Sequence, residues 1–335
     1  MARGIPGRAT YEAAPNIALV KYWGVRDPDL ALPYNSSLSV TLDRLRTRTT
    51  VVFDRALSED RFVLDGTIQS GGPLAAVSAF LDRVRAMAHL DTRGLVRSSN
   101  NFPTASGMAS SASGFAALAG ASTAAAGIDL TDRALSQLAR YGSGSASRSI
   151  FGGFVEWRAG TRADGRDCYA QTLHPPRYWP SFRDLVVLIE GAPTKSVRSA
   201  DAMQTSVRTS PYFARRQREL PARMRRMIRA IHDRDAATLF PLVMEECDSF
   251  RNVCETTVPS LDYLTVASRV ILAEVRSLNQ EEGRPVAAYT HDAGAHLHIF
   301  LLDRDASRVR RRLARIPGIR RMLLLRPGPG GRPLA

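Results

Sequence analysis

The sequence predicts an α+β chain whose two halves differ in character, and three observations carry that prediction. Strand-like alternation recurs in the first half, as in Tyr34-Asn-Ser-Ser-Leu-Ser-Val-Thr-Leu-Asp43, where Ser37, Ser39 and Thr41 alternate with Leu38, Val40 and Leu42. From about Gly191 longer helical stripes take over, with two strands, Val286–Thr290 and Leu297–Leu302, set among them. At 335 residues and 44% hydrophobic content the chain is long enough to bury two cores. The expected division is 1–190, 191–325 and a frayed Pro/Gly-rich tail at 326–335.

Taken in order, Tyr11–Val20 reads as a strand leading into Ala14-Pro-Asn-Ile-Ala-Leu-Val-Lys-Tyr-Trp-Gly24. Asn16, Lys21 and Tyr22 stand in that otherwise apolar run, so they must pair with one another or face a ligand. Thr49–Asp54 and Arg61–Asp65 are expected to extend the same antiparallel sheet as residues 37–43. Val77, Phe80, Leu81, Val84 and Met87 recur at three and four, which predicts a helix between Leu74 and His89 with one buried face. A short helix is expected at Asp132–Arg140, a strand at Gly152–Trp157, and the last strand of the first half at Leu185–Glu190. Phe213, Leu220, Met224, Met227 and Ile231 form one stripe interrupted by Pro221, so a kink or two helices are expected there. Ala236–Phe250 and Val266–Leu278 read as further helices, and no internal repeat is present.

The formal charge of +14 raises a nucleic-acid or membrane-surface reading, so its distribution matters. The arginines are scattered. Their local concentrations, Arg215–Arg229 and Arg308–Arg321, have helical apolar spacing and no interleaved stacking aromatics, which describes solvated helix faces. Neither a nucleic-acid nor a membrane partner is expected. The longest apolar runs are strand-length and the start, Met1-Ala-Arg-Gly-Ile-Pro, has no signal-peptide core, so the expectation is a soluble cytoplasmic protein. Cys168, Cys247 and Cys254 are odd in number and lack CxxC spacing, which indicates neither a disulfide framework nor a zinc site. Of the 46 basic residues only Lys21 and Lys195 are lysines, each a candidate for a place that needs a compact ammonium.

Two glycine- and serine-rich turns carry the chemistry. Asn100-Asn-Phe-Pro-Thr-Ala-Ser-Gly-Met-Ala-Ser-Ser-Ala-Ser-Gly114 runs into the alanine-rich segment Phe115–Ala126. Such a loop feeding a helix can wrap a phosphate with unpaired backbone N–H groups at the positive end of the dipole. It is equally the pattern of a plain turn with an N-cap, and no lysine follows, so it is not a G-x-x-x-x-G-K-[ST] loop. The second turn, Tyr141-Gly-Ser-Gly-Ser-Ala-Ser-Arg-Ser-Ile-Phe-Gly-Gly153, holds Arg148, and two such turns in one chain point to a ligand with two anionic ends.

Five stretches together resemble the mevalonate diphosphate decarboxylases of the galactokinase, homoserine kinase, mevalonate kinase and phosphomevalonate kinase (GHMP) superfamily. They are Asn16-Ile-Ala-Leu-Val-Lys-Tyr-Trp-Gly24, Asn35-Ser-Ser-Leu-Ser-Val-Thr41, Asn101-Phe-Pro-Thr-Ala-Ser-Gly-Met-Ala-Ser-Ser111, Gly142-Ser-Gly-Ser-Ala-Ser-Arg148 and Asp292-Ala-Gly294. The resemblance implies a two-domain GHMP-kinase-like fold, with an N-terminal half like domain 2 of ribosomal protein S5, a ferredoxin-like C-terminal half, a cleft between them, and a homodimer. It also implies an ATP- and Mg2+-dependent decarboxylation of a phosphorylated 3-hydroxy acid, in which phosphorylation of the tertiary alcohol precedes loss of phosphate and CO2.

By that resemblance Asp292 orients or deprotonates the 3-hydroxyl, Lys21 sits beside it, and Arg148 holds the substrate carboxylate. Asn16, Tyr22, Ser143, Gly144, Ser145, Ser199 and Met203 complete the acid site. Ser98, Asn100, Pro103, Thr104, Ser106, Gly107, Met108, Ser110 and Ser111 would hold the nucleotide, with Ser110 toward the metal. Singly, each has an ordinary alternative: a turn aspartate, a surface arginine, a snorkelling lysine.

Two departures stand out. Where the family has Lys-Tyr-Trp-Gly-Lys this chain has Val25, and in Lys195-Ser-Val-Arg-Ser-Ala-Asp-Ala-Met203 Ala200 takes the place of an arginine, unless a shift brings Arg198 in. Both missing cations serve the substrate's terminal diphosphate in the family. The expected substrate is therefore mevalonate 5-phosphate, giving isopentenyl phosphate, with the 5-diphosphate as the alternative. A mevalonate 3-kinase fits less well, since Lys21, Arg148 and Asp292 are all present. A basic nucleic-acid-binding module on a degenerate kinase scaffold would need one continuous arginine stripe. His291, His296 and His298 flank Asp292 and read as structural, with His291 or His296 as alternatives for tuning it.

Overall fold

The computed structural model describes residues 7–102, 110–192 and 197–334. The first half comprises β1 (Arg8–Ala13), β2 (Asn16–Val20), β3 (Val25–Asp27), β4 (Leu32–Pro33), β5 (Ser37–Thr41), β6 (Thr47–Asp54), β7 (Arg61–Leu64), β8 (Thr67–Gln69), α1 (Gly71–Ala88), β9 (Arg93–Asn100), α2 (Ser110–Ala125), α3 (Asp132–Ala139), α4 (Ala146–Ser149), β10 (Phe154–Trp157) and β11 (Ala170–His174). The second half follows with β12 (Phe182–Ile189), α5 (Ser199–Thr209), α6 (Tyr212–His232), α7 (Ala236–Glu255), α8 (Val266–Glu281), β13 (Ala287–Thr290), β14 (Leu297–Leu302), α9 (Asp303–Leu313), β15 (Ile319–Leu325) and β16 (Arg332–Leu334). This is an α+β arrangement of sheets with helices packed on their faces.

One sheet runs β16-β1-β6-β9-β7-β8 and a second β11-β10-β5-β2, so the expectation that residues 37–54 share one sheet is corrected. The single strand expected over Tyr11–Val20 is also two strands in different sheets, broken where Pro15 lacks an N–H to donate. The third sheet, β13-β14-β12-β15, takes in β12, the run expected to close the first half. Antiparallel pairing of Phe182–Val187 with Leu297–Leu302 places it in the second half instead. An apolar run bounded by charge marks a buried strand but carries no record of its partner.

Helix α2 is buried almost all round and is built of Ala, Gly and Ser, which lets it lie against β1 and β6; a side chain at Gly120 would collide with the Tyr11 ring. Helix α6 is continuous through Pro221, because Phe213 and Leu220 before it and Met224, Met227 and Ile231 after it are all buried on one side. That packing outweighs the missing backbone bond expected to break the helix. The helical spacing over Arg308–Arg321 holds only to Leu313, after which the chain turns into β15. Among the described residues no helix is long and apolar enough to cross a membrane.

The tail expected to fray is instead stitched into the first half. Gly328 N donates to Thr41 O (2.7 Å), Gly153 N to Gly328 O (2.9 Å) and Gly331 N to Ile150 O (3.1 Å), and β16 pairs with β1. The glycines permit close approach: a Cβ at Gly328 would lie 2.5 Å from Asp43 N. Deleting 327–334 removes these bonds and uncovers β1, so it should lower unfolding free energy by about 2–4 kcal/mol, read as a reduced urea midpoint. An unchanged midpoint would contradict this account.

Candidate functional site

Lys21 follows β2, a strand whose five residues are all buried. Its side chain is only 3% exposed, and Nζ donates to Ala18 O and to Asp292 Oδ1, both at 2.8 Å. Asp292 belongs to the second half, in the turn joining β13 to β14. Gly294 N donates to Asp292 O (2.7 Å), His291 Nδ1 lies 2.7 Å from the same oxygen, and Ser268 Oγ on α8 donates to Ala295 O (2.8 Å). The acid is thus held from several sides while its side chain remains 26% exposed to the crevice.

Burial drives the Asp292 carboxyl upward, but the Lys21 ammonium, with help from His298 and Arg148, brings it net below its ordinary 3.8. Asp292 is therefore ionised at neutral pH. Burial, with the Lys21 charge second, holds His291 down to about 4, so that ring is neutral. His296 Nδ1 accepts from Ile189 N (3.1 Å), and His298 Nδ1 lies 2.7 Å from Asp184 Oδ2. All three histidines brace the strands and the turn.

Arg148, in the single-turn α4, is 3% exposed. Its Nε donates to Asn16 Oδ1 (3.0 Å) and its Nη1 to Ser37 Oγ, while Asn16 Nδ2 donates to Ser145 O (3.1 Å) and Ser149 Oγ (2.8 Å). Burial lowers the guanidinium to about 10, against the opposing influence of Asp292 and Tyr22, so it remains charged at neutral pH. Tyr22 packs edge-on to Trp157 at 4.9 Å, over Gly144; a Cβ at Gly144 would sit 2.7 Å from the Tyr22 ring. Of the polar residues in the apolar run, Asn16 and Lys21 pair with partners, and Lys21 and Tyr22 face one crevice.

That crevice is lined by Ala18, Lys21, Tyr22, Trp23, Ser111, Ser143, Ser145, Arg148, Ser199, Met203, Phe250, Asp292 and Ala293. Ser111 also lines an apolar slot with Thr47, Thr49, Phe62, Leu64, Val96, Ser98, Asn100, Ser110, Phe115 and Leu118. The N-terminal end of α2 therefore stands where the two recesses meet. Asn16 and Gly144 sit behind the crevice as supports. Pro103, Thr104, Ser106, Gly107, Met108 and Lys195 lie outside the described residues. Among the described residues no cluster of three His, Cys, Asp or Glu is placed to hold a metal ion.

Sequence reasoning missed Trp23, Phe250 and Ala293 as wall residues, and Thr47, Thr49, Phe62 and Leu64 in the slot. Apolar wall residues carry the same periodicity as any core residue, so no local signal separates them. Val25 lies in β3 against α5, and Arg198 is the exposed N-cap of α5. Neither lines the crevice, where the described cations are Lys21 and Arg148.

Comparison with known proteins now adds to this geometry. Residues 13–170 match the family model described as the diphosphomevalonate decarboxylase-like N-terminal domain, and residues 185–321 the mevalonate 5-diphosphate decarboxylase C-terminal domain. Human diphosphomevalonate decarboxylase is 41% identical over 311 residues, which is 88% of this chain and 76% of that protein. A solved complex described as "MDDEF in complex with MVAPP, AMPPCP and Magnesium" superposes with a TM-score of 0.90 at 34% identity, covering 98% of each chain. The mevalonate diphosphate decarboxylase from Enterococcus faecalis gives 0.89 at 34% identity, again covering 98% of each. These relatives do not support the expected phosphomevalonate branch.

The electrostatics can be checked without substrate. Lys21→Met removes the ammonium while leaving burial in place, so the Asp292 pKa should rise, as followed by carboxylate NMR titration. A pKa that stays depressed in the variant would show that another group holds it down.

Proposed function

The chain belongs to the diphosphomevalonate decarboxylase family, and from that we propose that it converts ATP and (R)-mevalonate 5-diphosphate to isopentenyl diphosphate, ADP, phosphate and CO2. The observation that carries this reading is the Lys21–Asp292 pair sharing one crevice with Arg148, next to the start of α2. A tertiary alcohol is a poor nucleophile and hydroxide a poor leaving group. An ionised Asp292 orients the 3-hydroxyl and accepts its proton as the oxygen takes the γ-phosphoryl group of ATP. Its low basicity means that placement matters more than proton affinity.

Loss of that phosphate leaves positive character at C3, and departure of CO2 supplies the electron pair of the new alkene. Arg148 suits the carboxylate because its Asn16 and Ser37 bonds set the plane of the guanidinium in advance. Lys21 keeps Asp292 ionised and offsets the negative charge that gathers as phosphate leaves. The apolar slot beside Ser98 and Asn100 accepts the nucleoside, and the first turn of α2 faces the phosphates. Ser110, whose hydroxyl starts α2 beside the slot, would be the protein ligand to a magnesium ion that arrives with the nucleotide. Such an ion would supply neutralisation of the nucleotide's phosphate charge. A homodimer is the expected assembly.

One observation favours a second reading, mevalonate 5-phosphate as substrate: Val25 and Ala200 replace two of the family's cations, and the described crevice holds Lys21 and Arg148 as its cations. The test is kcat/KM for both acids, with CO2 release and product mass recorded. Preference for the diphosphate is the expected outcome; tenfold or greater preference for the monophosphate would reverse the assignment, and a stable 3-phosphate without CO2 would make the protein a kinase. Asp292→Asn should cut kcat by about 100-fold or more with KM for ATP little changed.

A further inference from the structure

We infer that a buried ion triad, Arg216, Arg223 and Glu246, is a positioning device for Lys21 and acts by gripping its backbone rather than its side chain. The inference rests on the proposed role of the Lys21–Asp292 pair. Lys21 N donates to Glu246 Oε1 (3.1 Å), and Lys21 O accepts from Arg216 Nη2 (2.9 Å). The same Arg216 nitrogen also donates to Glu246 Oε1, which closes a small ring around the Lys21 main chain. Arg223 Nη1 holds the other carboxylate oxygen of Glu246 at 2.9 Å, and Asn35 Nδ2 adds a further bond to Lys21 O at 3.0 Å.

Location makes this more than a stabilising cluster. Arg216 and Arg223 lie on α6 and Glu246 on α7, both in the second half, whereas Lys21 leaves β2 of the first. Asp292 also belongs to the second half, so the lysine is bound to that half twice, by its main chain and by Nζ. The backbone grip sets where the ammonium starts, and the stem then needs only one rotamer to reach the carboxylate. Glu246 is fully buried and Arg216 is 1% exposed. Among the described residues, Arg216 Nε and Nη1 have no hydrogen-bond partner. Burying such a group costs stability, and an apolar replacement of similar volume is often neutral or better. A device retained against that cost fits a need for placement, because a displacement of about 1 Å at a reacting group can lower turnover roughly 100-fold.

Glu246→Gln keeps the shape and removes the charge. The expected result is a fall in kcat of about 10- to 100-fold with KM for ATP within about twofold. The acid limb of the pH–kcat profile should move upward, because Asp292 loses part of its hold from Lys21 and keeps only the smaller influences of His298 and Arg148, with His291 neutral beside it. A crystal structure of the variant should show the Nζ–Oδ1 separation opened from 2.8 Å to beyond about 4 Å. A folded variant with unchanged kcat, or one with reduced kcat but an unmoved acid limb and an intact pair, would overturn the inference. Should E246Q not fold, R216K carries the same readouts, since an ammonium cannot serve both Glu246 and the Lys21 carbonyl with the fork geometry of arginine. Wild-type protein that turns over neither acid would instead sink the proposed function, leaving the grip to be judged on the crystallographic separation alone.

Discussion

A lysine ammonium with 3% exposure needs an anion, and the only carboxylate that bonds it among the described residues comes from the other half of the chain. Separating them leaves a buried charge unmatched, at a cost of about 3–5 kcal/mol for such pairs. The surroundings follow from that constraint. Strand β2 is buried along its full length and delivers Lys21 to the boundary between the halves, while the turn after β13 is braced by His291 and Ser268 so that Asp292 meets it. The same ion pair keeps Asp292 ionised despite its setting, so structural economy and chemical readiness have one source.

Small residues set the distances around that pair. Gly120 brings α2 against Tyr11 and Gly144 brings the second turn against Tyr22, so a helix start and a guanidinium come to face one crevice. A cationic crevice joined through Ser111 to an apolar slot suits a ligand pair of one phosphorylated acid and one nucleotide. The +14 charge is spread along the chain and partly taken up in ion pairs such as Arg312 with Glu274 and Glu281, or Arg269 with Asp262 and Glu255.

Much of the site was legible because its residues break local rules. Asn16, Lys21 and Tyr22 interrupt an apolar run, Arg148 sits in a turn of glycine and serine, and Asp292 opens a tight turn between strands. Most elements were legible for the complementary reason that buried faces repeat at 2 or at 3.6. The errors arose where a local rule met a tertiary one. Pro221 should have broken α6 but both flanking stripes are packed, and Gly328, Gly330 and Gly331 signalled flexibility while serving close approach.

What the sequence alone determined was the inventory: α+β elements, two glycine- and serine-rich turns, and an ammonium, a guanidinium and an acid in that order along the chain. Tertiary structure decided the partners. It put β12 in the third sheet, tied the last residues to β1, and placed Arg216 and Glu246 around the main chain of Lys21. Periodicity reports that a face is covered and says nothing of what covers it, because a buried leucine satisfies the same pattern against any apolar neighbour. A backbone bond to a buried carboxylate 225 residues away leaves no local trace at either end, so only the folded chain could reveal it.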